Sequence, residues 1–173
     1  MELRPLLGIA CVLPVQVFAT NYLTIEQAQR VIFPDADQFE PQNTLLEPAL
    51  IQRMGGSGHF AWTRARSNGR TIGAVAVDEV VGKYERITYA VGITAEGRVK
   101  QVEILSYRES HGGEVRLPAW REQFTGKTAA DALIVGEDIA NISGATLSCS
   151  HITDGVRRLV TLFEALRRAG RLA

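Results

Sequence analysis

The sequence predicts an α+β fold: a single small domain in which an antiparallel sheet, a meander or half-barrel, packs with helices and ends in a long C-terminal helix. Three observations predict it. Ile72 to Val80, Arg86 to Ile93 and Arg98 to Ser106 are strand-like and rich in Val, Ile and Tyr, and a turn around Ala95-Glu96-Gly97 joins the last two. From Ser148 to Arg168, Ile152, Val156, Leu159, Val160, Phe163 and Leu166 recur on one helical face. Finally, 173 residues, 46% of them hydrophobic, suffice for one core, and a formal net charge of zero gives no electrostatic case for a nucleic-acid partner.

The chain starts with the layout of a secretory signal peptide. Met1 to Arg4 is a short n-region with one basic residue, Pro5 to Phe18 is apolar except for Gln16, and Val17-Phe18-Ala19 places small residues for cleavage before Thr20. The stretch is shorter than the ~20 apolar residues of a membrane span and holds two prolines, so export to a periplasm is expected, with membrane association the alternative. Three segments follow: 1–19 as signal, 20–69 as an N-terminal helix and connecting region, and 70–173 as the functional domain. In the second, Thr24 to Phe33 carries Ile25, Ala28, Val31 and Ile32 at helical spacing behind Thr24 and Glu26. Pro34-Asp35-Ala36-Asp37 reads as a turn, because the aspartates lack the later glycine and acidic ligand of a calcium loop.

Several chemistry-bearing residues have plain readings. Gly55-Gly56-Ser57-Gly58 lacks the Lys-Ser/Thr ending of a nucleotide loop and reads as a hairpin connection. Cys149 is left without a disulfide partner if Cys11 departs with the signal, and it reads as a small apolar residue at a helix start. Ser110 and His111 are adjacent on an extended chain and point apart, and no nucleophile elbow accompanies them, so no nucleophilic catalysis is expected. The arginines near the C-terminus suit the helix dipole and require no acidic partner.

Ser143-Gly144-Ala145-Thr146-Leu147-Ser148 stands directly before the last helix. Gly and Ala permit close approach, the hydroxyls offer hydrogen bonds and a modification site, and the helix start offers free N–H groups to a phosphate. The run resembles the flavinylation motif of the FMN-binding domain family, which includes the C subunit of the sodium-translocating NADH:quinone reductase and the G subunit of the Rnf complex. The resemblance extends to Gly73–Val77, Ile87–Ile93, Glu96–Val99, Tyr107-Arg108-Glu109-Ser110-His111-Gly112-Gly113 and the stretch from Trp120 to Lys127, together covering about residues 70–165. In place of the acidic residue that many members carry three positions before the motif's Ser, this chain has Ala140.

The resemblance implies an FMN joined by a phosphoester to the motif, at Thr146 or alternatively Ser148, by a flavin transferase that uses FAD. It also implies that Glu109, Ser110, His111, Gly112 and Gly113 lie beside the flavin. Tyr107, Trp120 and Phe124 are candidates for packing on its ring or for the core, and Lys127 for its phosphate or for solvent. The implied function is an exported electron carrier, with redox proteins or a membrane electron-transfer complex as partners and no small-molecule turnover of its own. A periplasmic flavin-dependent reductase and a cofactor-free binding module stay open, the latter because of Ala140.

Overall fold

The structure is a computed structural model and describes residues 20–54 and 59–172. The signal-like segment 1–19 and the Gly55–Gly58 run lie outside the described residues. Six strands form one antiparallel sheet: β1 Thr20–Asn21, β2 Gln38–Leu45, β3 His59–Ser67, β4 Arg70–Val81, β5 Arg86–Thr94 and β6 Val99–Tyr107, in the spatial order β1-β6-β5-β4-β3-β2. The helices are α1 Ile25–Ile32, α2 Pro48–Met54, α3 Pro118–Arg121 and α4 Thr146–Arg168. The predicted three-strand meander is the middle of this sheet, and the predicted last helix is α4, begun two residues early.

Local chemistry explains the element boundaries. Helix α1 starts with a capping box, in which Gln27 N–H donates to Thr24 Oγ1 (3.2 Å) and Thr24 N–H donates to Gln27 Oε1 (2.8 Å). The β3–β4 hairpin turns on Asn68 and Gly69, both at positive φ (50° and 75°), the backbone that a two-residue hairpin demands. Asp37 closes the same corner by accepting the Asn68 N–H at 2.8 Å, which gives one of the predicted turn aspartates a structural task. Residues 38–45 and 59–67, expected as connections, are strands instead. Pro41 sits in β2, an edge strand paired only with β3, where a missing donor is tolerated.

Alternation along the strands gives the sheet two apolar faces. On one, Ala74, Ala76, Tyr89, Val91, Ile93, Val102 and Ile104 pack under α4, joined by Trp120 and Phe124 from the segment around α3. On the other, Ala65, Val75, Ala90 and Leu105 lie beneath Ala28, Ile32 and Phe33 of α1 and its end. Gly73 and Gly92 shape that second face, since a Cβ at either would come within 2.4 Å of the Phe33 ring or 2.1 Å of Ile32. Beyond β6, Arg121 donates to the Val102 carbonyl (2.7 Å) and pairs with buried Glu103, fastening the α3 segment over the sheet. The C-terminal end of β6 thereby emerges beside the N-terminus of α4, where the motif lies.

Candidate functional site

The motif, the end of β6 and the β4–β5 turn surround a cleft of about 390 Å³. Its walls are Lys83, Tyr84, Glu109, Ser110, His111 and the run from Gly144 to Ser148. The loop 109–113 separates it from a neighbouring cleft of about 490 Å³, bordered by Tyr22, Arg108, Gly112, Gly113 and Arg116 among others.

Tyr107, the last residue of β6, ties the loop to the helix. Its hydroxyl donates to the His111 carbonyl at 2.5 Å, so the Ser148 hydroxyl, 3.2 Å away, is left to donate to it. Burial pushes the Tyr107 phenol above its ordinary pKa and keeps that donor protonated. Gly112 completes the joint at φ 84°: a Cβ there would stand 2.3 Å from the Ala145 Cβ and 2.7 Å from the Tyr107 hydroxyl. Only glycine lets the loop lie this close to the motif.

The two candidate hydroxyls are in different surroundings. Thr146 is exposed at the first position of α4, with its Oγ1 accepting a hydrogen bond from Asn141 Nδ2 at 3.1 Å. Ser148 is 4% exposed and engaged by Tyr107. Helix α4 has Ala145 at its N-cap and no side-chain cap, so the donors of its first turn are left for a ligand. With Lys83 on the facing wall and the positive end of a helix dipole, this donor set suits a phosphate and its sugar-like chain. The site's own chemistry therefore fits the phosphate end of a nucleotide cofactor.

Glu109 serves the opposite wall. Its Oε1 accepts the backbone N–H of Tyr84 (2.6 Å) and of Glu85 (2.9 Å), which folds the β4–β5 turn against the loop. Desolvation raises its pKa, but these backbone donors, with the Lys83 N–H and ammonium, outweigh that and hold the carboxyl below its usual range. It is an ionised clamp whose bonds are made to the protein's own backbone. Ser110 Oγ lies 2.9 Å from His111 Nδ1 on the exposed rim, so these side chains meet rather than point apart as expected, because β6 has ended at Tyr107 and the chain here is a loop.

Other predicted residues stand apart from the cleft. Trp120 is 4% exposed, donates Nε1–H to the Ala140 carbonyl at 2.8 Å and packs edge-on against fully buried Phe124. Both rings belong to the core. Lys127 pairs with Asp138 at 2.9 Å. Asp138 also accepts the N–H groups of Ile134 (2.7 Å) and Leu133 (3.1 Å), so it organises the turn before the motif. Ser143 is exposed at the motif's start, and Gly112 and Gly113 border the second cleft. Cys149 is buried, and burial raises its thiol pKa, as befits a packing residue. Sequence reasoning missed Lys83, Tyr84 and Asn141; the first two had a signal, an exposed cation and aromatic in a turn between adjacent meander strands.

Fold and cleft together define a class: a small α+β domain that gathers an exposed hydroxyl, uncapped helix N–H groups and an ammonium around an open cleft, a donor set suited to a cofactor-carrying domain. The profile of the FMN-binding domain family matches residues 82–161, which holds both walls of that cleft. The chain belongs to this family. It is 30% identical over 139 residues to the G subunit of the proton-translocating ferredoxin:NAD(+) oxidoreductase complex of Clostridium ljungdahlii, covering 76% of this chain and 67% of that relative. It is 27% identical over 113 residues to the G subunit of the Na(+)-translocating ferredoxin:NAD(+) oxidoreductase complex of Acetobacterium woodii, covering 60% of this chain but 55% of that relative. The crystal structure of Shewanella oneidensis NqrC shares the fold, with a TM-score of 0.51 at 15% identity over 76% of this chain and 79% of that one.

Proposed function

We propose that this chain is an exported electron carrier that holds FMN covalently at Thr146 and passes electrons between redox proteins, as a part or a partner of a membrane electron-transfer complex. The observation that carries the reading is the contrast between the two hydroxyls: Thr146 is open to the cleft at an uncapped helix start, whereas Ser148 is buried under Tyr107. A transferase can reach the first without unfolding α4. Thr146 Oγ1 would give its proton to a base of that transferase and take the flavin phosphate from a flavin adenine dinucleotide donor, with AMP as leaving group. The first-turn N–H groups of α4 and Lys83 would then neutralise the phosphate, and the loop 109–113 would flank the polar chain.

Bound FMN supplies a ring that takes up and releases one or two electrons. The protein contributes the tether and the field around it. Backbone donors on Glu109 Oε1 keep this carboxyl ionised, so it is no proton donor to the cleft, which supports a carrier over a reductase. Export rests on the signal-like residues 1–19, and the assembly partner on the relatives named above. Among the described residues no helix is long and apolar enough to cross a membrane.

The test is intact mass and flavin fluorescence in denaturing gels, on full-length chain produced in a bacterium with a flavin transferase. One added FMN on a chain that starts at Thr20, lost in Thr146→Ala and kept in Ser148→Ala, is the expected result. Attachment that survives Thr146→Ala and vanishes in Ser148→Ala overturns the assignment, and no added mass in any sample overturns covalent attachment.

A further inference from the structure

We propose that Tyr84 is the aromatic wall of the cleft and stacks on the planar ring of the flavin, with Glu109 as the positioning residue that sets it there. The inference deepens the FMN reading and rests on it. The other aromatic side chains near the motif are occupied elsewhere: Trp120 and Phe124 are in the core, and Tyr107 is buried with its hydroxyl spent on His111 and Ser148. Tyr84, in contrast, lines the cleft with 75% of its surface exposed.

The ring is open to solvent, yet its backbone is held firmly. Both the Tyr84 and Glu85 N–H groups are fixed by Glu109 Oε1, and Gly82 N–H bonds to the Glu85 carbonyl at 2.8 Å. Gly82 admits the clamp, because a Cβ there would lie 2.5 Å from Glu109 Oε1. The carboxylate arrives from the far end of β6, 25 residues on in sequence, so the turn is anchored to the same loop that meets the motif. On the same cleft, Leu147 exposes 46% of its surface. An aromatic and an aliphatic side chain lining one cleft offer a flat, apolar, π-bearing ligand two surfaces, and the flavin ring is such a ligand. Lys83 Nζ stands over the Tyr84 ring at 4.9 Å from its centroid, so the cation lies on one face and the flavin would stack on the other.

The experiment titrates FMN into apo-protein made without transferase and compares flavin emission, native against denatured, in protein loaded with transferase and checked by mass. Tyrosine in van der Waals contact with a flavin donates an electron to its excited state and quenches it, whereas leucine and phenylalanine do not. The wild type is expected to show quenched emission that rises on denaturation. Tyr84→Leu should lose the quenching and weaken FMN binding by about ten-fold; Tyr84→Phe should lose the quenching but keep the affinity. Glu109→Ala should release the quenching with Tyr84 still present, and Glu109→Gln, whose Oε1 accepts the same two N–H groups, should restore it. Wild-type emission and affinity retained in Tyr84→Leu overturn this inference alone. Absence of FMN uptake by the wild type overturns the FMN reading and the inference with it.

Discussion

At the scale of single residues, the site is set by side chains whose partners lie far away in sequence. Asp138 is an example outside the cleft. The backbone N–H of Ile134 lowers its pKa most, burial opposes this, and the Lys127 ammonium and the Leu133 N–H add to the lowering, so the carboxyl falls from 3.8 to about 2. A carboxylate depressed in the folded state contributes stability that is complete above its unfolded pKa and lost as pH falls through the folded value. Chemical denaturation should therefore show the wild type losing its advantage over Asp138→Asn between about pH 4 and pH 2. A constant difference across that window would mean that the ion pair and backbone bonds do not bias folding. The sequence named Lys127 and assigned Asp138 no role, because nothing in the run from Thr125 to Asn141 reveals that its backbone curls onto this one carboxylate. Glu109 teaches the same lesson: its position beside the cleft was legible, while its partners on the β4–β5 turn were not.

At the scale of elements, legibility followed the strength of the local pattern. Helix α1 shows its cap and its apolar face, and β4, β5 and β6 are dense in Val and Ile, so their existence could be read within a residue or two of their bounds. Strands β2 and β3 could not. Their half-buried positions carry Glu40, Gln42, Arg64 and Arg66, and β2 holds a proline, so an edge hairpin looks like a connecting segment until the central sheet is there to pair with it. The contact between α4 and the sheet was equally hidden. Gly155 lies mid-helix, where alanine would ordinarily be favoured by about 1 kcal/mol, but a Cβ there would meet the Tyr89 hydroxyl at 1.9 Å. That hydroxyl donates to Asp78 at 2.8 Å, and Asp78 also receives Arg158 of α4 at 2.7 Å, so the tyrosine has no room to withdraw. Gly155→Ala should destabilise the fold by about 1–3 kcal/mol in urea denaturation, and Tyr89→Phe should soften that penalty by removing the clashing oxygen. A stabilised Gly155→Ala variant would show that α4 stands further from the sheet.

At the scale of the whole molecule, the sheet separates two cores with different duties. One face holds α4, and with it the start of the helix, Tyr107 and the motif; the other is covered by α1 and is remote from the cleft. Phe33 belongs to the second core, 2% exposed, over the hollow left by Gly73 and Gly92. Truncating it removes an aromatic ring from a closed site, and Phe33→Ala should cost about 3–5 kcal/mol of folding stability. The cleft is built from β6, the β4–β5 turn and α4, and its joints at Glu109, Tyr107 and Gly112 do not pass through α1. With the proposed attachment at Thr146, protein that remains folded should then be loaded with FMN to the same extent as wild type, measured by intact mass on the folded fraction after a denaturation curve has fixed its amount. Loss of FMN in step with loss of α1 packing would mean that the two faces fold and function as one unit, and that the strands transmit strain across the sheet. Unchanged loading at much reduced stability would assign α1 to stability and the face beneath α4 to the cofactor.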